Sequence, residues 1–384
     1  MNMNAVELLN GKFKDIGLIT GVPCSYFKGM INAAINDGRY LPATDEGAAV
    51  AIATGYQIAS GKPALVLMQN SGIGNAISPL TSLNAIFREP ITLMVSQRGG
   101  ENDEPQHELM GMIDKFLLND CNVLTRPVQR LEMDIDKEYI ANQNTQCLAY
   151  LVPKGTFDMV ELEVNMPEKR HHKSYLFDDT FVEYEGELQV TKPNTLHSKY
   201  EFIQKIVEKA KASFKRYVII ATTGYTGREL WSIEDTENNL YMVGSMGCAS
   251  ALGLGMALGD TDLKVIVLDG DGAVLMRPGA MATIGSVQPS NLIHICFNNG
   301  LYDTTGGQAT GCWNTSFGDL AIGFGYSNVM ITNSLKNIDR LNEQNNGPTF
   351  IEIAVRPGHE NVGRPILKPY EVKERLINYI KNTK

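Results

Sequence analysis

The residues of this chain whose types and spacing most clearly suggest chemistry are Asp269-Gly270-Asp271-Gly272 and, further on, Asn298-Asn299-Gly300-Leu301. Twenty-five residues separate Gly272 from Asn298, enough for one helix and the apolar run at 292–297. One helix and one strand bring the second loop back to the same carboxyl edge of a parallel sheet as the first. A carboxylate from Asp271, an asparagine carbonyl and a backbone carbonyl form an oxygen-rich site, the kind that holds a hard cation such as Mg2+. The glycines beside Asp271 let a diphosphate approach the backbone, and a helix beginning near Ala273 offers it N–H groups. A GDG triplet alone is as readily a pair of glycine turns, and its distance from the asparagine pair is what favours the site.

GDG, a spacer of this size and NN together resemble the signature of the 2-keto acid decarboxylases that depend on thiamine diphosphate (ThDP). The resemblance implies that Asp271, Asn299 and the carbonyl of Leu301 coordinate Mg2+, with Gly270, Gly272 and Ala273 against the diphosphate. Ala273 stands where several relatives carry a hydroxyl. Gly244-Ser245-Met246-Gly247 resembles the loop holding the aminopyrimidine ring, which implies a carbonyl contact from Gly244 and a bending wedge at Met246. Thr223-Gly224-Tyr225 resembles a further diphosphate turn. Asp45-Glu46-Gly47-Ala48-Ala49 with Gly55-Tyr56 resembles the family's activating-glutamate helix, so the Glu46 carboxyl is expected to hydrogen-bond the pyrimidine nitrogen and let the ring amine act as a base. By residue type alone, Met246 is a core residue and Glu46 a favourable charge at the positive end of a helix. Because the glutamate and the metal motif lie in different domains, the resemblance implies a homodimer as the smallest active unit, with cofactor sites between subunits.

The chain has no room for the middle domain of the larger ThDP decarboxylases, and its layout resembles the phosphonopyruvate and sulfopyruvate decarboxylases. The stretches GVPCSYF (21–27), MQNSGIGNAISPLTSL (68–83), DEPQHELMG (103–111), TTGGQ (304–308) and VGRP (362–365) carry that likeness. Phosphonopyruvate is the favoured substrate, with phosphonoacetaldehyde and CO2 as products, because sulfopyruvate enzymes divide these halves between two subunits. Ser25, Asn70 and Gln106 are the expected substrate contacts on first-domain loops, and His107 the expected proton donor. Arg364 is the first candidate for the phosphonate, since a guanidinium fork matches its oxygens; Arg98 and Arg277 are weaker ones. A sulfopyruvate decarboxylase or a ThDP carboligase would use the same motifs. A non-catalytic ThDP-binding protein is disfavoured by Glu46. A nicotinamide dehydrogenase is disfavoured by the lack of a GxGxxG after an early strand.

The elements that must position these residues repeat the βαβ pattern twice, predicting an α/β fold of two ThDP-binding-type domains, each a mostly parallel sheet flanked by helices, with no middle domain. Strands are expected at 15–21, 64–68, 91–96, 217–221, 264–268, 292–297 and 349–355, and a helix at 46–60. The domains are expected at 1–165 for pyrimidine binding and 198–384 for diphosphate and Mg2+ binding, with a solvated linker at 166–197 that includes the charged run 168–173. With 384 residues, 43% hydrophobic and 20% charged, the chain can bury two cores. A formal charge of −9 disfavours nucleic acid and anionic membranes as partners. The six cysteines form no CxxC pair, so they read as buried small hydrophobes rather than a zinc site or disulfides. The N-terminal sequence lacks the order of a signal peptide, giving a cytoplasmic expectation.

Overall fold

The short apolar runs of the chain assemble into two separate parallel sheets. A computed structural model describes residues 3–101, 103–132, 146–163, 181–184, 196–312, 314–343 and 346–384, and the chain divides into two units, Met1–Tyr175 and Leu176–Lys384.

The first unit contains β1 (Leu18–Gly21), β2 (Tyr40–Pro42), β3 (Ala64–Gln69), β4 (Thr92–Ser96), β5 (Val123–Pro127) and β6 (Cys147–Val152). Their order is β2-β1-β3-β4-β6-β5, with every neighbouring pair parallel. Ala64 through Met68 are fully buried, as expected for a strand covered on both faces. The helix Glu46–Ser60 begins where Asp45 accepts a bond from Ala48 N and ends at Gly61, whose φ of 72° suits a glycine. Its residues Ala48 to Ala53 have no exposure, and the alanines at 48, 49, 51 and 53 let it lie close against β1 and β3.

The second unit contains β7 (Phe181–Tyr184), β8 (Tyr217–Ala221), β9 (Asn239–Tyr241), β10 (Lys264–Gly270), β11 (Leu292–Asn298), β14 (Asn328–Thr332) and β15 (Thr349–Ala354). They form one sheet in the order β7-β14-β15-β11-β10-β8-β9, again parallel throughout. A small antiparallel pair, β12 (Leu301–Tyr302) and β13 (Gln308–Ala309), folds over beside it. The helix Ala249–Gly259 lies against β10 and β11. It comes close because Gly253 has no side chain: a Cβ there would stand 2.4 Å from Val267 Cγ2.

The expected helix and strands are present, with ends displaced by up to three residues. The first strand starts at Leu18 rather than 15, because residues 11–15 are in turns, with Ile16 N still donating to Phe13 O at 3.1 Å. The expected linker contributes β7, which pairs in parallel with β14. The charged run 168–173 lies outside the described residues. All six cysteines are buried, and none forms a disulfide. No helix among the described residues is long and apolar enough to cross a membrane.

Candidate functional site

In the second sheet the chain leaves β8 for β9 at one edge and returns to β10 on the other side of β8. Loops that part at such a reversal open a crevice beyond the carboxyl ends of the strands. A cavity lies there, lined by Thr222, Thr223, Tyr225 and Thr226 after β8, by Gly270 to Ala273 after β10, and by Asn299, Leu301 and Tyr302 after β11. Met246, Lys199, Phe297, Asp303, Thr304 and Val355 complete the wall.

Asp271 is the chemical centre of this cavity. It is 4% exposed. Its Oδ1 accepts from Gly272 N at 2.7 Å, and its Oδ2 accepts from Gly300 N at 2.9 Å, Thr310 Oγ1 at 3.2 Å and Cys312 Sγ at 3.3 Å. Burial pushes the Asp271 carboxyl up, and these donors only partly offset it. Burial also pushes the Cys312 thiol up to about 11, so the thiol keeps the proton it donates. Every hydrogen-bond donor to this carboxylate among the described residues is neutral, and a buried carboxylate without a cation is costly. The site therefore fits a metal ion with hard oxygen ligands.

The asparagine pair divides its work by strand alternation. Asn298 Nδ2 donates to Glu352 Oε1 at 2.8 Å, while Glu352 Oε2 accepts from Gly318 N at 2.9 Å. Asn299 lines the cavity instead: its Nδ2 donates to Asp303 Oδ2 at 2.7 Å, and its Oδ1 accepts from Leu301 N at 3.0 Å, leaving one lone pair. The two glycines of GDG differ as well. A Cβ on Gly272 would stand 2.2 Å from the Tyr302 ring, whereas one on Gly270 would meet nothing within 4 Å. Gly272 thus lets the two loops close on each other, and Gly270 leaves open space at the cavity wall, as a phosphate needs. Gly224, at φ 97°, begins the helix Tyr225–Ile233 without a side-chain cap, so the first N–H groups of that helix stay available to an anion. Ser245 adopts φ 52°, a left-handed conformation uncommon outside glycine, in the loop that carries Met246.

The carboxyl edge of the first sheet gathers the other candidates. Glu46 is 8% exposed; its Oε2 accepts from Asn75 Nδ2 at 2.8 Å, and its carboxylate occupies the place a side chain on Gly72 would take. Asn70 is fully buried; its Nδ2 donates to Arg98 O at 2.9 Å and Asp114 Oδ2 at 3.3 Å, so its amide nitrogen holds two loops together. His107 is 8% exposed, and its Nδ1 has no hydrogen-bond partner among the described residues. Ser25 and Gln106 are exposed. Arg98 is committed: its guanidinium donates to Asp103 from Nε at 2.8 Å and from the terminal nitrogen at 2.6 Å, and it lies over the Tyr26 ring. The Arg98 hydrogen bond, with N–H donors from Gly99 and Glu104, holds the Asp103 carboxyl well below the usual range.

Of the second-unit residues picked from sequence, all but Gly224, Gly244, Arg277 and Arg364 line the cavity. Arg364 is exposed on the segment after β15, where the preceding Gly363 packs on Trp231. Lys199, Thr222, Tyr302, Gly72 and Asn75 are site residues that sequence reasoning missed. Of these, Tyr302 had a local signal, sitting four residues after Asn298, and Gly72 and Asn75 lie within the stretch 68–83 that carries the family likeness.

Residues 4–118 match the model of the N-terminal TPP binding domain of thiamine pyrophosphate enzymes, and residues 224–353 that of the C-terminal TPP binding domain. Phosphonopyruvate decarboxylase of Streptomyces hygroscopicus is 35% identical, over 98% of this chain and 94% of the relative. Sulfopyruvate decarboxylase of Methanosarcina acetivorans is 28% identical, over 94% of this chain and 93% of that one. The ThDP-dependent 4-hydroxybenzoylformate decarboxylase of Rhodococcus jostii RHA1 shares the fold, with a TM-score of 0.70 at 14% identity, covering 93% of this chain and 99% of that one. The two matched domain types are those of a ThDP enzyme. The chain belongs to the thiamine pyrophosphate enzymes, in the family of the phosphonopyruvate decarboxylases. The M. acetivorans relative corrects one expectation, since a single-chain layout does not separate the phosphonate from the sulfonate enzymes.

Proposed function

We propose that this protein decarboxylates phosphonopyruvate to phosphonoacetaldehyde and CO2, using ThDP and Mg2+. The near-full-length likeness to phosphonopyruvate decarboxylases is the observation that carries the substrate. The buried Asp271 carboxylate, with only neutral hydrogen-bond donors among the described residues, supports the metal. In this reading Asp271, Asn299 Oδ1 and the Leu301 carbonyl hold Mg2+. The diphosphate meets the amides from Gly224 to Tyr225 and the open wall at Gly270, with Gly272 and Ala273 beneath it. Met246 and the Gly244 carbonyl orient the pyrimidine.

When bound, ThDP supplies the carbon nucleophile and accepts the electron pair released as CO2 leaves. Glu46, fixed by Asn75, holds and returns the proton at the pyrimidine nitrogen. His107, whose Nδ1 has no hydrogen-bond partner among the described residues, delivers a proton to the former keto carbon so that the aldehyde is released. Ser25 and Gln106 contact the substrate, Asn70 shapes the loop beside them, and Arg364 pairs with the phosphonate. Arg98 takes no part in substrate binding, because Asp103 holds its fork. The active form is at least a homodimer, which sedimentation at micromolar concentration tests directly.

Incubating the protein, ThDP and Mg2+ with phosphonopyruvate, sulfopyruvate and pyruvate tests the assignment. Phosphonopyruvate should give the highest kcat/KM, with equimolar CO2 and phosphonoacetaldehyde. Faster turnover of sulfopyruvate would establish the second reading, which the M. acetivorans relative supports. Condensed products without free aldehyde would indicate a carboligase.

A further inference from the structure

Lys199 is the one cationic side chain among the described residues that line the second-unit cavity. It opens the helix Lys199–Ser213, whose start is fixed by Ser198 and Glu201 in a capping box. A lysine in the first turn of such a helix ordinarily extends into water. Here it is 8% exposed, and its Nζ lies 3.5 Å from Glu229 Oε2. Glu229 is fully buried. Its Oε1 accepts from Glu360 N at 3.1 Å, and its Oε2 makes no hydrogen bond among the described residues. Burial pushes the Glu229 carboxyl up, while Lys199 opposes that shift.

An ammonium has three donors, and one carboxylate oxygen at this distance does not satisfy them. Burying such a pair for stability alone is a poor exchange, since desolvation of both charges consumes most of their attraction. The neighbouring wall offers further donors: the Thr222 hydroxyl is buried and has no partner among the described residues, and the helix Tyr225–Ile233 starts without a side-chain cap. The acidic groups of the cavity are engaged elsewhere, Asp271 at the metal site and Asp303 on Asn299 and Gly358 N.

We propose that Lys199 donates directly to the diphosphate of ThDP, adding a cationic contact to the metal site, with Glu229 positioning it. The inference rests on reading this cavity as the diphosphate site. Titration calorimetry of the full chain with ThDP and Mg2+, with inorganic pyrophosphate as competitor, tests it. Lys199→Met should weaken ThDP and pyrophosphate by a similar factor, at least tenfold, while Lys199→Arg stays close to wild type. The double variant Lys199→Met/Glu229→Gln removes the stranded carboxylate; it should regain thermal stability yet keep the weak diphosphate binding. The proposal is overturned if Lys199→Met binds ThDP as tightly as wild type, or if only ThDP and not pyrophosphate is weakened. It is also overturned if the double variant recovers full affinity, because Lys199 would then serve only to neutralise Glu229. Wild type that binds no ThDP would overturn the cofactor reading together with this inference.

Discussion

The Glu46 carboxylate sits against Gly72 so closely that a Cβ on the glycine would stand 2.1 Å from Oε1. The absence of a side chain at residue 72 therefore sets the position of a carboxyl group on another element.

Gly72→Ala should displace Glu46 without removing it. The helical backbone at Gly72, φ −80°, accepts alanine, so the damage is steric, of the order of 1–3 kcal/mol in stability for an overpacked site. Exchange of the cofactor's thiazolium C2 proton, followed by NMR, should slow at least tenfold, about 1.4 kcal/mol of barrier. Glu46→Gln should fold and bind ThDP but lose most activity and exchange. Wild-type exchange in Glu46→Gln would remove the residue from the mechanism.

Asp271→Ala should abolish the rise in Tm that ThDP and Mg2+ together produce, a rise worth about 2.7 kcal/mol at a hundredfold excess over Kd. Chelating the metal from wild type should have the same effect. Tight ThDP binding by the variant would dismiss Asp271 as a ligand.

Asp103 gives a pH prediction. Its folded carboxyl is depressed below the ordinary value of 3.8, chiefly by Arg98, so its contribution is fully present above that value and is lost as pH falls through the acid range. Asp103→Asn should accordingly lower Tm at pH 7, and the gap to wild type should narrow as pH falls toward 3. A gap that is constant with pH would mean that the charge of Asp103 is immaterial.

Arg364→Lys keeps a charge but loses the fork, so kcat/KM for phosphonopyruvate should fall roughly tenfold, about 1.4 kcal/mol, with pyruvate turnover nearly unchanged. Equal losses for both substrates would place the phosphonate contact elsewhere.

What could be read in advance was what the sequence encodes locally. The expected bounds of the helix Glu46–Ser60 coincide with the Asp45 cap and the left-handed Gly61, and the GDG and NN loops meet across β11 as expected, although two helices, Asp271–Met276 and Gly279–Val287, stand where one was expected. Residues whose role depends on a distant partner stayed hidden. Lys199 faces inward because Glu229, thirty residues on, is buried beneath it. Gly72 mattered because of Glu46, and Arg98 looked free until Asp103 closed the loop around it. The run Cys147–Val152 went unread as a strand because six apolar residues carry no periodicity of their own.

The placement of β7 beside β14 also orders events on the ribosome. Phe181 to Tyr184 emerge first, yet their ladder partner begins only at Asn328, an interval of roughly 7–30 s at 5–20 residues per second. Until then the strand has no ladder among the described residues, and the second sheet lacks that edge. Nascent or truncated chains ending before Asn328 should therefore be the aggregation-prone species of this protein.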